Sequence, residues 1–171
     1  MTLWHKTAEY KLITDHYRGE YADRSGRHKM EHIREGCRLL VGWQRPDIEH
    51  QAFCLHPLVE TKGFTYERKH SYILAAEMMK FATAYLCRPE TDDITYRGSR
   101  TYLFKHLGPM SEACAWLLLA DKVQNRSDFM KYHAFTHARA DMLIRYFDLW
   151  IQTLHTYYLP KEQFNGKARR T

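Results

Sequence analysis

Titratable side chains gather in three short segments of this 171-residue chain. The first places Arg24, Ser25 and Gly26 shortly before His32. The second reads EHQAFCLHPLVET and holds His56 and Glu60. The third reads LLLADKVQNRSDF and holds Asp121 and Asn125. Asp121 directly follows eight apolar residues, Ala113 to Ala120. A carboxylate there is costly unless it is paired or bound to a metal ion. His56 also ends an apolar run, where a histidine is more often a satisfied core residue than a ligand. Arg24 and Asn125, taken singly, read as a surface arginine and a helix-end asparagine. Each segment alone leaves its chemistry open, so the elements that would position them matter.

The apolar spacing is helical almost throughout. Leu74, Met78, Phe81 and Tyr85 share one helical face, and Phe135, Ala138, Met142, Tyr146 and Leu149 form a second stripe; both predict core packing. No alternating strand and no Asn-Gly or Asp-Gly hairpin turn is present. A first helical region covers roughly 4–22 and ends before Gly26. A second runs from about Met30 to Trp43 and stops before Pro46. Asp47 is a good N-cap for a third helix, which carries Ile48, Ala52, Phe53 and Leu55 inward and then meets Pro57. Thr65 can cap a long helix from Tyr66 to about Leu86, followed by a polar loop from Arg88 to Ser99. Pro109 and Ser111 start the next helix, and a last long one covers about 129–158. The fold class expected is therefore all-α, a single bundle of about six to eight helices over residues 1–159, with a basic C-terminal tail over 160–171. The second and third helices, and the one ending near Asp121, should meet around a central pocket.

Composition fits such a domain. Apolar residues make up 44% and charged residues 27% of the chain, ordinary for a globular protein. The net charge is +6, which suits a phosphate-bearing ligand without requiring one. The lysines and arginines are scattered and form no recognised nucleic-acid motif, so nucleic acid is not an expected partner. Cys37, Cys54, Cys87 and Cys114 form no CxxC pair, which argues against a zinc ribbon or a disulfide framework and fits a reducing compartment. The polar N-terminus is no signal peptide, and the longest apolar stretch is too short to span a bilayer, so no membrane partner is expected and the cytoplasm is the expected location.

Order and spacing of the three segments add a further reading. YADRSGRHKMEHI resembles the R-x-SG turn that precedes the first metal histidine in the RelA/SpoT-type HD hydrolases. DIEHQAFCLHPLVETKGFTYE resembles the family stretch D-x-x-x-x-AALLHDVVEDT-x-x-T-x-E. LLLADKVQNRSDF resembles KLADRLHNLRDL and is the most specific of the three. The three blocks follow the family order over about residues 17 to 130, and the length suits the small stand-alone hydrolases of this group.

The resemblance implies a metal-dependent phosphohydrolase acting on a purine nucleotide, of the (p)ppGpp pyrophosphohydrolase kind. By it His32, His56 and Asp121 match three of the four ligands of a divalent ion, usually manganese, that activates a water toward phosphorus. Arg24 and Ser25 match positions that cradle the base, Asn125 one that faces the sugar or phosphate, and Glu60 the glutamate that positions the attacking water. Two positions depart from the pattern. The fourth ligand should be the aspartate after the second histidine, and it is Pro57; the family's Glu-Asp pair reads Glu60-Thr61. Two histidines and one carboxylate still suffice for a catalytic ion, with weaker binding expected. Pro57 also disfavours α geometry at His56. If the helix continues through Pro57, Glu60 shares a face with His56 and could serve as general base or as substitute ligand. The alternative is a catalytically inactive nucleotide- or partner-binding module, since some long RelA-type enzymes with proline at this motif no longer cleave.

Overall fold

A computed structural model describes residues 3–22, 25–59, 61, 63–67, 69–83 and 100–160. Its architecture is all-helical, with seven helices and no strand among the described residues. A short 3-10 turn, Trp4–Lys6, leads into α1 (Ala8–His16). Then come α2 (Met30–Gly42), α3 (Asp47–Val59), α4 (Lys69–Ala82), α5 (Arg100–Leu107), α6 (Glu112–Tyr132) and α7 (Ala140–Thr153). A π turn, Leu154–Tyr158, extends α7.

Two helices form the centre. In α6 every residue from Cys114 to Lys122 is buried, and in α3 Ala52 to His56 and Leu58 are. Helices apolar on all sides belong inside a bundle. The others bury one stripe: Met30, Ile33, Gly36, Cys37 and Leu40 on α2, and Tyr146, Trp150 and Thr153 on α7. Helix α3 packs on α1, α2 and α4, while α6 packs on α2, α4 and α7, so α2 touches both central helices. No helix among the described residues is long and apolar enough to cross a membrane.

Helix ends follow local chemistry. Thr7 caps α1, its hydroxyl accepting from Tyr10 N at 3.2 Å, and Ser111 caps α6, accepting from Cys114 N at 3.1 Å. Gly26, at φ 64°, takes the left-handed conformation that its turn requires, beside the isolated antiparallel bridge between Tyr21 and His28.

Several expected boundaries shift. The first helical region is the 3-10 turn plus α1, ending at His16 rather than near 22. Helix α4 begins at Lys69, not Tyr66, because Tyr66 instead reaches α1, its hydroxyl donating to Glu9 at 3.0 Å. Helix α6 runs on past Asp121 to Tyr132, and the last long helix starts at Ala140 rather than about 129. The stretch between is turn, and Phe135 is 95% exposed, so it does not join the second apolar stripe. Helix α5 is an element the periodicity does not reveal, since it buries only Leu103. Tyr85, Cys87, the loop from Arg88 to Ser99 and the tail beyond Pro160 lie outside the described residues.

Gly36 shows what the α2–α3 contact demands. A Cβ at this position would overlap the Phe53 ring, which is fully buried. Glycine inside a helix costs about 1 kcal/mol relative to alanine, yet here it admits the ring. Gly36→Ala should therefore destabilise the protein by about 1–3 kcal/mol, as overpacking does. Urea unfolding would read this as a lower midpoint at unchanged slope; a midpoint equal to or above that of the parent would show that the two helices can part freely.

Candidate metal centre

Three helices each deliver one side chain to a common point. His32 lies in the first turn of α2, His56 in the last turn of α3, and Asp121 in the middle of α6. One ligand atom from each lies within 4.8 Å of the other two. His32 Nε2 is 3.3 Å from His56 Nε2 and 3.5 Å from Asp121 Oδ1. Ligands bound at about 2.1 Å around a tetrahedral ion stand about 3.4 Å apart, so these separations fit a shared cation. His56 and Asp121 are each only 7% exposed, while His32 is half-buried.

The protonation pattern fits as well. A histidine can ligate through one nitrogen only if its proton sits on the other. His56 Nδ1 lies 2.6 Å from the Phe53 carbonyl oxygen, an acceptor only, so Nδ1 carries the proton and Nε2 presents its lone pair. For His32 the logic runs through a chain of partners. Arg27 donates to Glu35 at 2.8 Å and holds that carboxyl below its usual range, so Glu35 is an acceptor. Gln124 Nε2 donates to Glu35 at 3.1 Å, which turns Gln124 Oε1 toward His32 Nδ1 at 2.5 Å. His32 Nδ1 therefore donates, and its Nε2 also faces the centre. Outer hydrogen bonds of this kind orient the histidines of metal sites.

Electrostatics keep the set ready. Burial, reinforced by neighbouring His32, lowers His56 to about 4, so its ring is neutral at pH 7. Burial alone would raise Asp121; Lys122 and the two imidazoles more than offset it, and the carboxylate stays ionised. Asp121 divides its oxygens. Oδ1 faces His32 and accepts from Asn125 Nδ2 at 2.8 Å, whereas Oδ2 meets Lys122 Nζ at 3.0 Å. Lys122 is itself 5% exposed, and its ammonium lies over the Trp150 and Tyr146 rings at 5.3 and 5.7 Å. Burial disfavours that charge, but Asp121 and a hydrogen bond with Tyr146 hold its pKa above that of an ordinary lysine.

The structure thus brings together His32, His56 and Asp121, the three residues singled out as ligands. Asn125 lies against the Asp121 carboxylate, and Ser25 accepts a long 3.4 Å bond from Arg27 N. Arg24 and Glu60 lie outside the described residues. Helix α3 continues through Pro57 to Val59, so the proline neither ends it nor turns His56 away. Gln124, Glu35, Arg27 and Lys122 are participants that the sequence reading missed. One signal was present, since Glu35 and Gln124 each lie three residues after a proposed ligand, on its helix face. No family model matches this chain, and no match is found among curated proteins or solved structures.

Gln124 gives a direct check on the outer bonds. Gln124→Ala removes the acceptor for His32 Nδ1 and should weaken Mn2+ binding about 10- to 100-fold, measured by calorimetric or spin-resonance titration. Unchanged affinity would show that His32 needs no such partner.

Proposed function

We propose that this protein is a metal-dependent phosphohydrolase acting on a purine nucleotide, with His32, His56 and Asp121 holding one divalent ion, manganese by the resemblance. The observation that carries the reading is the meeting of these three side chains, each from a different helix, with both histidines prepared to ligate through Nε2. A bound divalent ion there would supply Lewis acidity toward a phosphoryl group and acidify a water.

The chain's own groups favour an anionic substrate. Lys122 neutralises the one ligand carboxylate, and imidazole ligands bring no negative charge, so the charge of a bound cation is not cancelled by its ligands. A phosphate-bearing ligand meets net positive charge at such a centre. Asn125 steadies Asp121 Oδ1, while the Arg27, Glu35 and Gln124 chain steadies His32. By the resemblance, Glu60 orients and deprotonates the attacking water, while Arg24 and Ser25 hold the base. The (p)ppGpp-type pyrophosphohydrolase reaction is the leading form, with other purine nucleotide phosphatases beside it. The test is metal analysis of the purified protein together with a phosphate-release screen over purine nucleotides with Mn2+. One ion per chain and Mn2+-dependent release are expected; a protein that takes up no divalent ion would sink the reading.

Pro57 favours a second reading, a catalytically inactive nucleotide- or partner-binding module, because it stands where the resemblance expects the fourth ligand. In that case the chain should bind a purine nucleotide without turnover.

A further inference from the structure

Proline inside a helix has two local consequences. It has no N–H to give to the carbonyl four residues earlier, and its ring crowds that carbonyl. For Pro57, inside α3, that carbonyl belongs to Phe53. This is the oxygen that His56 Nδ1 engages at 2.6 Å.

We infer that Pro57 is a positioning residue of the metal centre: by withholding an N–H from the Phe53 carbonyl, it leaves that oxygen to His56 Nδ1 and so fixes the ring with Nε2 toward His32 and Asp121. The inference rests on the metal reading above and gives position 57 a role other than a lost ligand. Two other helical histidines give the contrast, since Nδ1 can share a carbonyl that keeps a backbone donor but does so at longer range: the Pro46 oxygen also accepts from Glu49 N at 3.0 Å. His50 Nδ1 reaches the Pro46 carbonyl at 3.1 Å, and His106 Nδ1 reaches that of Tyr102 at 2.8 Å, both four residues back. His56 instead reaches three residues back, to the acceptor whose regular helical donor is missing, and makes the shortest of the three contacts. The Phe53 side chain adds to the same arrangement. Its ring packs against both histidines, with centroids 4.8 Å from His56 and 5.6 Å from His32.

The step from outer bond to ligand is geometric. With Nδ1 protonated and bound to a backbone oxygen, the imidazole has one tautomer and one orientation, and only Nε2 can reach a cation. A non-proline residue at 57 supplies an N–H that competes for the same oxygen. His56 then shares its acceptor and holds it less firmly, and the Nε2–H tautomer, which cannot ligate at that nitrogen, becomes more populated.

The test uses the full chain. Nitrogen-15 imidazole spectra of metal-free protein at neutral pH report the tautomer of His56, and calorimetry reports Mn2+ affinity. Wild type should show the Nδ1–H form. Pro57→Ala should populate the Nε2–H form and bind Mn2+ about 10- to 100-fold more weakly, while its thermal midpoint rises, because the helical N–H is restored. A third protein carries lactic acid at 57, an ester with neither ring nor N–H. It should keep the wild-type tautomer and affinity, which separates the missing N–H from the ring. The inference is overturned if Pro57→Ala retains the Nδ1–H form and the wild-type affinity, or if the ester variant behaves like Pro57→Ala. If wild type binds no Mn2+, the metal reading itself fails, and the tautomer spectra still decide what Pro57 does to His56.

Discussion

Asp121→Ala should abolish binding of a divalent ion and destabilise the metal-free protein by about 3–5 kcal/mol, the usual cost of stripping one partner from a buried ion pair. Lys122 sits at 5% exposure, with its ammonium over two aromatic rings and Asp121 Oδ2 at 3.0 Å. Without Asp121 its remaining partners among the described residues are the Tyr146 hydroxyl and two ring faces, which do not balance a full charge. Total stabilities are only about 5–15 kcal/mol, so the loss is a large share of the whole. The double variant Asp121→Ala/Lys122→Met separates the two roles. Methionine keeps the apolar stem against Tyr146 and Trp150 and removes the stranded charge, so much of the stability should return while metal binding does not. Denaturant unfolding in the presence of a chelator, alongside Mn2+ titration, reads both quantities. A loss below about 1 kcal/mol in the single variant, the range of exposed pairs, would mean that water reaches Lys122.

That ion pair also shows where sequence reasoning ran out. Asp121 stood out because it follows eight apolar residues, and the structure answers its burial with Lys122, Asn125 and the two histidines. Lys122 gave no comparable signal: its burial depends on α7 laying Tyr146 and Trp150 across it, a contact between segments more than twenty residues apart. Gln124 is similar, because its bond to His32 depends on the register of α2 against α6. The Phe53 carbonyl is a backbone atom that no pattern of side-chain types marks. The all-α class, the start of α2 and the Ser111 cap were legible, because they rest on periodicity and on one local side-chain bond.

The boundary between α6 and α7 was not legible, since an unbroken apolar rhythm runs across residues that fold as a turn. His133 N and Ala134 N both donate to the Phe129 carbonyl at 2.9 Å, closing α6, and Arg139 N donates to His137 Nδ1 at 3.1 Å. Such local bonds compete with helix continuation, and a stripe of apolar residues does not report them. Pro57 left a question open that side-chain pattern could not close. A helix interior usually excludes proline at a cost of about 3 kcal/mol, yet α3 carries it through the turn that presents His56.

If the protein is the hydrolase proposed above, His56→Ala and Glu60→Gln should fail differently. Removing His56 takes away one of three protein ligands, so Mn2+ affinity should fall by more than the 10- to 100-fold expected for an outer partner. Mn2+-dependent phosphate release should fall to background with it. Glu60 lies four residues after His56, and by the resemblance it handles the proton of the attacking water. Glu60→Gln keeps the shape and removes the base, so metal affinity should stay near wild type while kcat drops about 10²- to 10⁴-fold, the range for general acid–base catalysis. Single-turnover kinetics at saturating Mn2+ separate these losses, because metal occupancy is then held constant for the glutamine variant. A Glu60→Gln protein that turns over at the wild-type rate would remove Glu60 from the chemistry. A parallel loss of Mn2+ affinity in that variant would identify Glu60 as a fourth ligand, standing in for the carboxylate that Pro57 replaces. Should wild type bind Mn2+ and a purine nucleotide yet release no phosphate from any nucleotide in the screen, the hydrolase reading falls, and the same centre serves to hold a ligand instead.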